Sequence, residues 1–378
     1  MAISVNNGKL SGTALERALE QKLTELLESV PLGKWQVSRN PADFDRSWDL
    51  VATRHHPGQP DLELWVDCRA EPRPSQFPYV NLHREFQEHR LSRVRASVFA
   101  APYISPRMAE MCEEHGWSWF DLAGNCRFTI PEIFHLERKG NDPVHLRPRP
   151  SANLATPEAA RVIRALLAPA HAGIRWTQHS LQSECVPSVS IGLVNKVVRH
   201  LRDEAFLHGE AEGGFKLSDP LKLLFAWRDV YRFDRYPRKG YFTLKQGRAL
   251  REALAGLELT LGGHAAYAVF SAAEFQAPHV RQPKTWLYVS FSFEEEFCRQ
   301  IEAKASDSGE NLVVLTPEDD GVFYDPDPDG TIDRERLRAT SPVQTYVDLY
   351  HCGGRGQEAA EALLEQKLKP EWKIRGVS

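Results

Sequence analysis

The chain has no run of about 18 apolar residues, so no segment is expected to span a membrane. Its six cysteines, Cys68, Cys112, Cys126, Cys185, Cys298 and Cys352, form no C-x-x-C pair, and no histidine pair stands beside them at zinc-finger spacing. This pattern points away from a disulfide framework or a structural zinc site and toward reduced, mostly buried thiols. The 14 histidines fall in no Ser/His/Asp or Cys/His arrangement, so no nucleophile–base set is expected. The first residues lack the basic start and apolar stretch of a secretory signal, and the expected location is the cytoplasm. Net charge is small as well: −4 over 378 residues does not mark a generic nucleic-acid binder.

What is present is ordinary globular material, 42% hydrophobic and 26% charged, in a length that suits two or three domains. The charge is unevenly placed. Residues 1–153 carry a net charge of −1, residues 154–240 carry +4, and residues 241–378 carry −7. The basic excess is modest, but it sits where the pattern suggests DNA binding.

The first segment opens with an amphipathic helix from Thr13, with Leu15, Ala18, Leu19, Leu23, Leu26 and Leu27 at helical spacing. Asp49–Arg54, Leu62–Arg69 and the apolar run from Arg95 to Pro102 read as strands, with a further helix expected near 81–91. Ser105-Pro106 begins a helix by cap logic, and Trp117–Asp121 and Cys126–Ile130 are strands around the Gly124-Asn125 turn. Strands alternating with helices indicate an α/β sheet. The proline- and arginine-rich stretch 141–151, with Arg147 and Arg149, reads as a linker.

Beyond it, Thr156-Pro157 caps a helix bearing Val162, Ile163, Leu166 and Leu167. Thr177 caps a short helix to Cys185, Val186-Pro187-Ser188 turns the chain, and Ser188 is expected to cap a longer helix to about Asp203. Val194, Val197, Val198 and Leu201 form the buried stripe of that helix. Phe206–His208 and Phe215–Leu217 then read as a hairpin. Helix, helix, helix and hairpin in this order describe a winged helix-turn-helix. Its second helix-turn-helix element enters the major groove and meets bases and phosphates. Ser188, Ser190, Asn195, Lys196 and Arg199 are the expected DNA-facing residues, with Lys216 on the wing as a further phosphate contact. Glu210 and Glu212 make the wing tip acidic.

The first segment also invites comparison with restriction-nuclease-like cores, which hold a divalent ion with an acid on one strand and acid-x-Lys on the next. Asp49 and Asp67-Cys68-Arg69 stand at matching strand positions, but an arginine replaces the lysine and cannot act as a base. The expectation is a degenerate nuclease-like domain without catalytic residues. In the last segment, Leu244–Ala255, Ser341 onward and Gly356–Leu368 read as helices, and Lys284–Ser290 and Asn311–Leu315 as strands. The acidic loop from Asp325 lacks EF-hand spacing. Gly353-Gly-Arg-Gly ahead of a helix lacks the Lys-Ser/Thr of a P-loop and reads as a loop-to-helix turn, with Arg355 and Glu358 as a local pair.

Phe99-Ala-Ala-Pro-Tyr-Ile-Ser-Pro-Arg, Gly116-Trp-Ser-Trp-Phe-Asp-Leu-Ala-Gly-Asn, Ser341-Pro-Val-Gln-Thr-Tyr-Val-Asp-Leu and Gly353-Gly-Arg-Gly-Gln-Glu-Ala-Ala-Glu together resemble bacterial AbiEi-type antitoxin transcriptional regulators of type IV toxin–antitoxin systems. The resemblance implies a repressor that binds its own promoter and counters a nucleotidyltransferase-like toxin.

The expected architecture is therefore a multidomain α/β chain: a restriction-endonuclease-like α/β domain (1–145), a winged helix-turn-helix (154–236) and a C-terminal, antitoxin-like α/β domain (241–370). The expected function is a DNA-binding regulator of double-stranded DNA, with a homodimer as an expected form and with no cofactor, no metal and no membrane partner. The alternatives are a metal-dependent DNA nuclease and a non-enzymatic interaction scaffold.

Overall fold

The computed structural model describes residues 12–31, 33–39, 48–55, 61–77, 93–130, 133–142, 152–209, 213–325 and 337–374. The expected helix at 81–91, the linker arginines, Glu210, Glu212 and the acidic loop beyond Asp325 lie outside them. The chain divides into two compact units, Met1–Arg149 and Pro150–Ser378. No helix among the described residues is long and apolar enough to cross a membrane.

In the first unit α1 (Thr13–Glu28) buries Leu15, Leu19, Leu23, Leu26 and Leu27, the stripe its sequence spells out. That stripe packs on a seven-stranded sheet whose strands stand in chain order: β1 (Gln36–Arg39), β2 (Leu50–Arg54), β3 (Asp61–Cys68), β4 (Arg93–Ala101), β5 (Ser118–Asp121), β6 (Cys126–Ile130) and β7 (Phe134–Arg138). β3–β4 and β4–β5 are parallel, and the other pairs are antiparallel. α2 (Pro106–Glu114) carries the chain from β4 to β5, and the Ser105 hydroxyl caps it by accepting from the Met108 amide at 3.2 Å. β3 is covered on both sides. Leu62, Leu64 and Val66 join the α1 core, so the alternation of a strand puts Glu63, Trp65 and Asp67 on the opposite face.

The β5–β6 turn needs Gly124 at φ +87°, a conformation only glycine adopts without strain. Both Asp121 carboxylate oxygens accept from Asn125, from its amide and its side chain, each at 3.0 Å. Asn125 in turn accepts from the Asn141 amide at 2.8 Å. Asp121-Leu-Ala-Gly-Asn is thus a structural knot.

The second unit begins with α3 (Pro157–Leu167), capped by Thr156, and α4 (Gln178–Glu184), capped by Thr177 in a reciprocal box with Ser180. α5 (Ile191–Asp203) follows, then a hairpin of β8 (Leu207–Gly209) and β9 (Phe215–Leu217), with Trp176 bridged to Phe215 as a third short partner. α6 (Pro220–Val230), capped by Asp219, leads into a five-stranded sheet. The sheet contains β10 (Arg238–Phe242), β11 (Ala265–Tyr267), β12 (Thr285–Val289), β13 (Lys304–Ala305) and β14 (Leu312–Leu315), in the spatial order β11-β12-β14-β10-β13. Only β12 and β14 are parallel.

One face of this sheet, with Tyr241, Leu287, Val289, Leu312 and Val314, packs on α7 (Gly247–Leu261) and α9 (Glu294–Ile301). α7 starts at Gly247, not at the expected Leu244, which is 86% exposed. The other face, with Trp286, Tyr288, Val313 and Leu315, shares a single hydrophobic core with α3 to α6, α8 (Val269–Gln276), α10 (Pro342–His351) and α11 (Gly356–Leu363). A π-turn over 364–368 joins α11 to the last helix, α12 (Lys369–Ile374).

A buried polar network lies where α3, α10 and β12 meet. Arg164 is 2% exposed; its Nε donates to Gln344 at 2.7 Å, and its guanidinium lies over the Trp227 ring. Asp348 Oδ1 accepts from the Tyr231 hydroxyl at 2.7 Å and from Gln344 at 2.8 Å. Burial pushes the Asp348 carboxyl up from the usual 3.8 to about 7, against the opposing pull of Gln344, Tyr231, Tyr288 and Arg164. A raised carboxyl value favours the native state fully below the unfolded value, and that contribution is lost as pH rises toward the folded one. Between about pH 4 and pH 7 this group is therefore expected to cost the second unit stability as pH rises, by about 4 kcal/mol in all. Asp348→Asn should flatten that part of the profile in urea titrations at stepped pH; an unchanged slope would mean another group sets it.

Candidate nucleic-acid interface

α5 spans 13 residues, about 20 Å. It buries Val194, Val197, Val198 and Leu201, each at 1% exposure or less, which fixes the rotation of the helix about its axis. Ser190, Asn195, Lys196 and Arg199 are then exposed together, and so is Ser188 in the turn before the helix. Lys216 sits half-buried on β9, opposite His208.

One expectation needs correction. The N-cap of α5 is Ser190, whose hydroxyl accepts from the Leu193 amide at 3.2 Å, and not Ser188. Both serines have a suitable spacing. Val189 decides between them: its side chain is buried and its carbonyl accepts from Gln182 at 2.9 Å, which holds it in the turn. The acceptor of Ser188 that matters is its backbone carbonyl, engaged by Arg161 at 2.9 Å.

Three residues of this surface were not singled out from sequence. Arg202 is exposed and its guanidinium lies 5.2 Å from the Phe215 ring centre, which ties the last turn of α5 to the hairpin. Its spacing of three from Arg199 was the available signal. Ile191 and Val186 are 38% and 55% exposed beside the two serines. An apolar side chain at such a place can meet a thymine methyl, but it reads in sequence as core. His200 is half-buried, and burial lowers its value, so it adds no charge to this face at neutral pH. The ensemble can offer hydroxyls and cations to phosphate, and Asn195 to a base edge.

In the first unit, Asp49, Asp67 and Arg69 do come together. Asp49 Oδ2 accepts from the Cys68 amide at 2.7 Å, and the Asp49 amide donates to Val66 at 3.0 Å. Arg69 grips both oxygens of Asp67, at 2.6 and 2.8 Å. Burial raises the Asp49 carboxyl, with the charge of Asp67 adding to it. Beyond Asp67 on the same face, Glu63 is paired with Arg95 at 2.7 Å. A divalent ion needs free carboxylate oxygens, and here the Arg69 guanidinium pairs with both oxygens of Asp67 and a backbone amide takes an oxygen of Asp49. The donor set does not fit a catalytic metal. Among the described residues there is no group of three or more His, Cys, Asp or Glu arranged to hold an ion.

The Gly353-Gly-Arg-Gly stretch turns α10 into α11, with Gly353 and Gly354 at positive φ and Arg355 Nε donating to Glu358 at 2.8 Å. Residues 216–369 match the model of a family described as transcriptional regulator, AbiEi antitoxin, type IV toxin–antitoxin system. The match begins within β9, at Lys216, and takes in α6, the five-stranded sheet and the Ser341 and Gly353 stretches; it leaves out Asp121–Asn125 and α5. No curated protein and no solved structure matches the chain.

Proposed function

We propose that the chain is a DNA-binding transcriptional regulator of the antitoxin type, in which residues 154–236 act as a winged helix-turn-helix. In this reading α5 is the recognition helix and the β8–β9 hairpin is the wing. The observation that carries it is the clean division of α5: four aliphatic residues are buried, and Ser190, Asn195, Lys196 and Arg199 are exposed together beside Ser188. The antitoxin-family match over 216–369 supports the same reading from a part of the chain that does not include α5. The net charge of −7 over 241–378 suits a basic partner, and we assign that role to a nucleotidyltransferase-like toxin, with the regulator binding its promoter as a homodimer.

The test is a titration of the full chain on a duplex from upstream of its own coding region. Affinity should fall steeply with salt, as phosphate contacts require. Absence of binding at low salt would leave the interaction-scaffold reading in its place.

For the first unit we propose a restriction-endonuclease-like fold that does no chemistry. The run of α1, β1, β2 and β3 followed by parallel β4 and β5 supports the fold, and the Arg69–Asp67 pair supports inactivity. No nicking of supercoiled plasmid with Mg²⁺ or Mn²⁺ is expected; nicking that disappears in Asp67→Ala would reverse this.

A further inference from the structure

The turn between α4 and α5 has little backbone support of its own. Among the described residues, no backbone amide donates to the carbonyls of Pro187, Ser188 or Val189. Side chains hold them instead. Gln182 donates to Val189, and Arg161 of α3 donates through Nη1 to Ser188 at 2.9 Å and to Pro187 at 3.4 Å. The orientation of α5 at its first residues thus depends on where the Arg161 guanidinium sits.

Arg161 is itself held from the far side. Its Nε donates to both oxygens of Asp319, at 3.0 and 3.2 Å, and Nη2 also bonds Asp319. Both side chains are largely buried, at 16% and 8% exposure. Asp319 opens the short turn that follows β14, and its Oδ1 also accepts from the Gly321 amide at 2.8 Å. A Cβ at Gly321 would lie 2.5 Å from that oxygen and 3.0 Å from Arg161 Cγ, so only glycine lets this segment approach so closely. The next residue, Asp320, accepts from Ser290 at the end of β12 at 2.8 Å. Farther along, the Tyr324 hydroxyl donates to Glu184, the last residue of α4, at 2.9 Å. Residues 319–324 therefore bond Arg161 of α3, the last residue of α4 and the end of β12, and reach the turn before α5 through Arg161.

We infer that Arg161 is a positioning residue for DNA recognition, and that Asp319, in the turn that follows the sheet strand β14, sets its position. This rests on the reading of α5 as the DNA-contacting helix. Arg161 need not touch DNA: its hydrogen bonds are spent on the turn carbonyls and on Asp319. Loss of Asp319 leaves a buried guanidinium without its counter-charge, and the guanidinium no longer stays on the Pro187 and Ser188 carbonyls. The start of α5, where Ser190 and Asn195 stand, then loses its fixed approach to the groove.

The experiment uses the full chain and two duplexes, one from upstream of its own coding region and one scrambled to equal length and composition. Active fraction is measured by stoichiometric titration. Arg161→Ala and Asp319→Asn should each weaken binding to the first duplex about tenfold, the size of one or two charge-assisted hydrogen bonds. Binding to the scrambled duplex should stay within about twofold, with the salt slope unchanged, because the phosphate-contacting cations remain. Asp319→Glu should restore part of the loss. Equal weakening on both duplexes with a shallower salt slope would make Arg161 a direct phosphate contact and overturn the inference. Unchanged affinity of the active fraction would overturn it too and reduce the pair to a stabilising contact. Failure of the unmodified chain to bind either duplex would instead remove the DNA-binding reading, and the inference with it.

Discussion

Replacing Lys196 and Arg199 together by alanine is expected to weaken duplex binding roughly sixtyfold at about 0.1 M salt. The size follows from counterion release. Each cation that neutralises a phosphate frees about 0.9 of a condensed counterion, which at this salt is worth about eightfold in affinity. Two such contacts multiply, and the slope of log affinity against log salt should become shallower by about two. Both side chains are exposed on α5, so fold stability should move by less than about 0.5 kcal/mol, and the loss can be read as binding. A fluorescence anisotropy series over salt gives slope and intercept together. If both contacts are to phosphate, a scrambled duplex loses as much as the natural one. If Arg199 reads a guanine, the loss is larger on the natural sequence. Equal slopes for variant and parent would take α5 out of the interface.

The second large effect concerns stability. Trp227→Ala should destabilise the unit 150–378 by ~3–5 kcal/mol. Trp227 is fully buried on α6, lies under the Arg164 guanidinium and packs edge-on against Tyr231 at 5.4 Å. Truncation leaves a cavity the size of an indole and strips a buried cation of its aromatic partner. α3 to α5 and one sheet face belong to the same core, so both should be loosened together. Hydrogen exchange resolved by residue distinguishes the outcomes. Amides of α5 and of β12 should lose protection in parallel; retention by β12 while α5 exchanges freely would mean that the shared core is two separable ones.

The caps were the most legible part of this sequence. Ser105, Thr156, Thr177 and Ser341 each accept from the amide three residues on, as a small hydroxyl before a helix start should. The stripe of α5 was legible because one side of that helix faces solvent, so period and burial coincide. Where both sides are covered, the period disappears. Val269–Gln276 shows no helical period because its first five residues, Val269 to Ala273, are all buried, while the apolar Phe275 is exposed. Pro220–Val230 lacks a clear period for a similar reason, with Leu223, Leu224 and Trp227 buried and Leu221, Phe225 and Ala226 half-buried around the helix. β13 has two residues, and β1 exists only through its pairing with β2, so neither has a local signature. In the candidate site, the exposed face of α5 could be written down from spacing alone. What holds it could not: Arg161 and Asp319 are 158 positions apart, and nothing near either residue announces the other.

The sequential strand order of the first unit bears on how the chain is made. Each strand from β2 to β7 pairs with the one before it, so no strand has to be inserted between two already in place. Such a sheet can grow at its edge, each new strand joining the one made just before it, and the longest chain to be closed is the stretch 69–92 between β3 and β4. Synthesis proceeds from the N-terminus, so β7 is complete at Arg138 before α3 has been made. The second sheet has no such schedule. β10 ends at Phe242, and its main partner β14 begins at Leu312, so the helices that follow Thr156 stand for a time without the face they pack on.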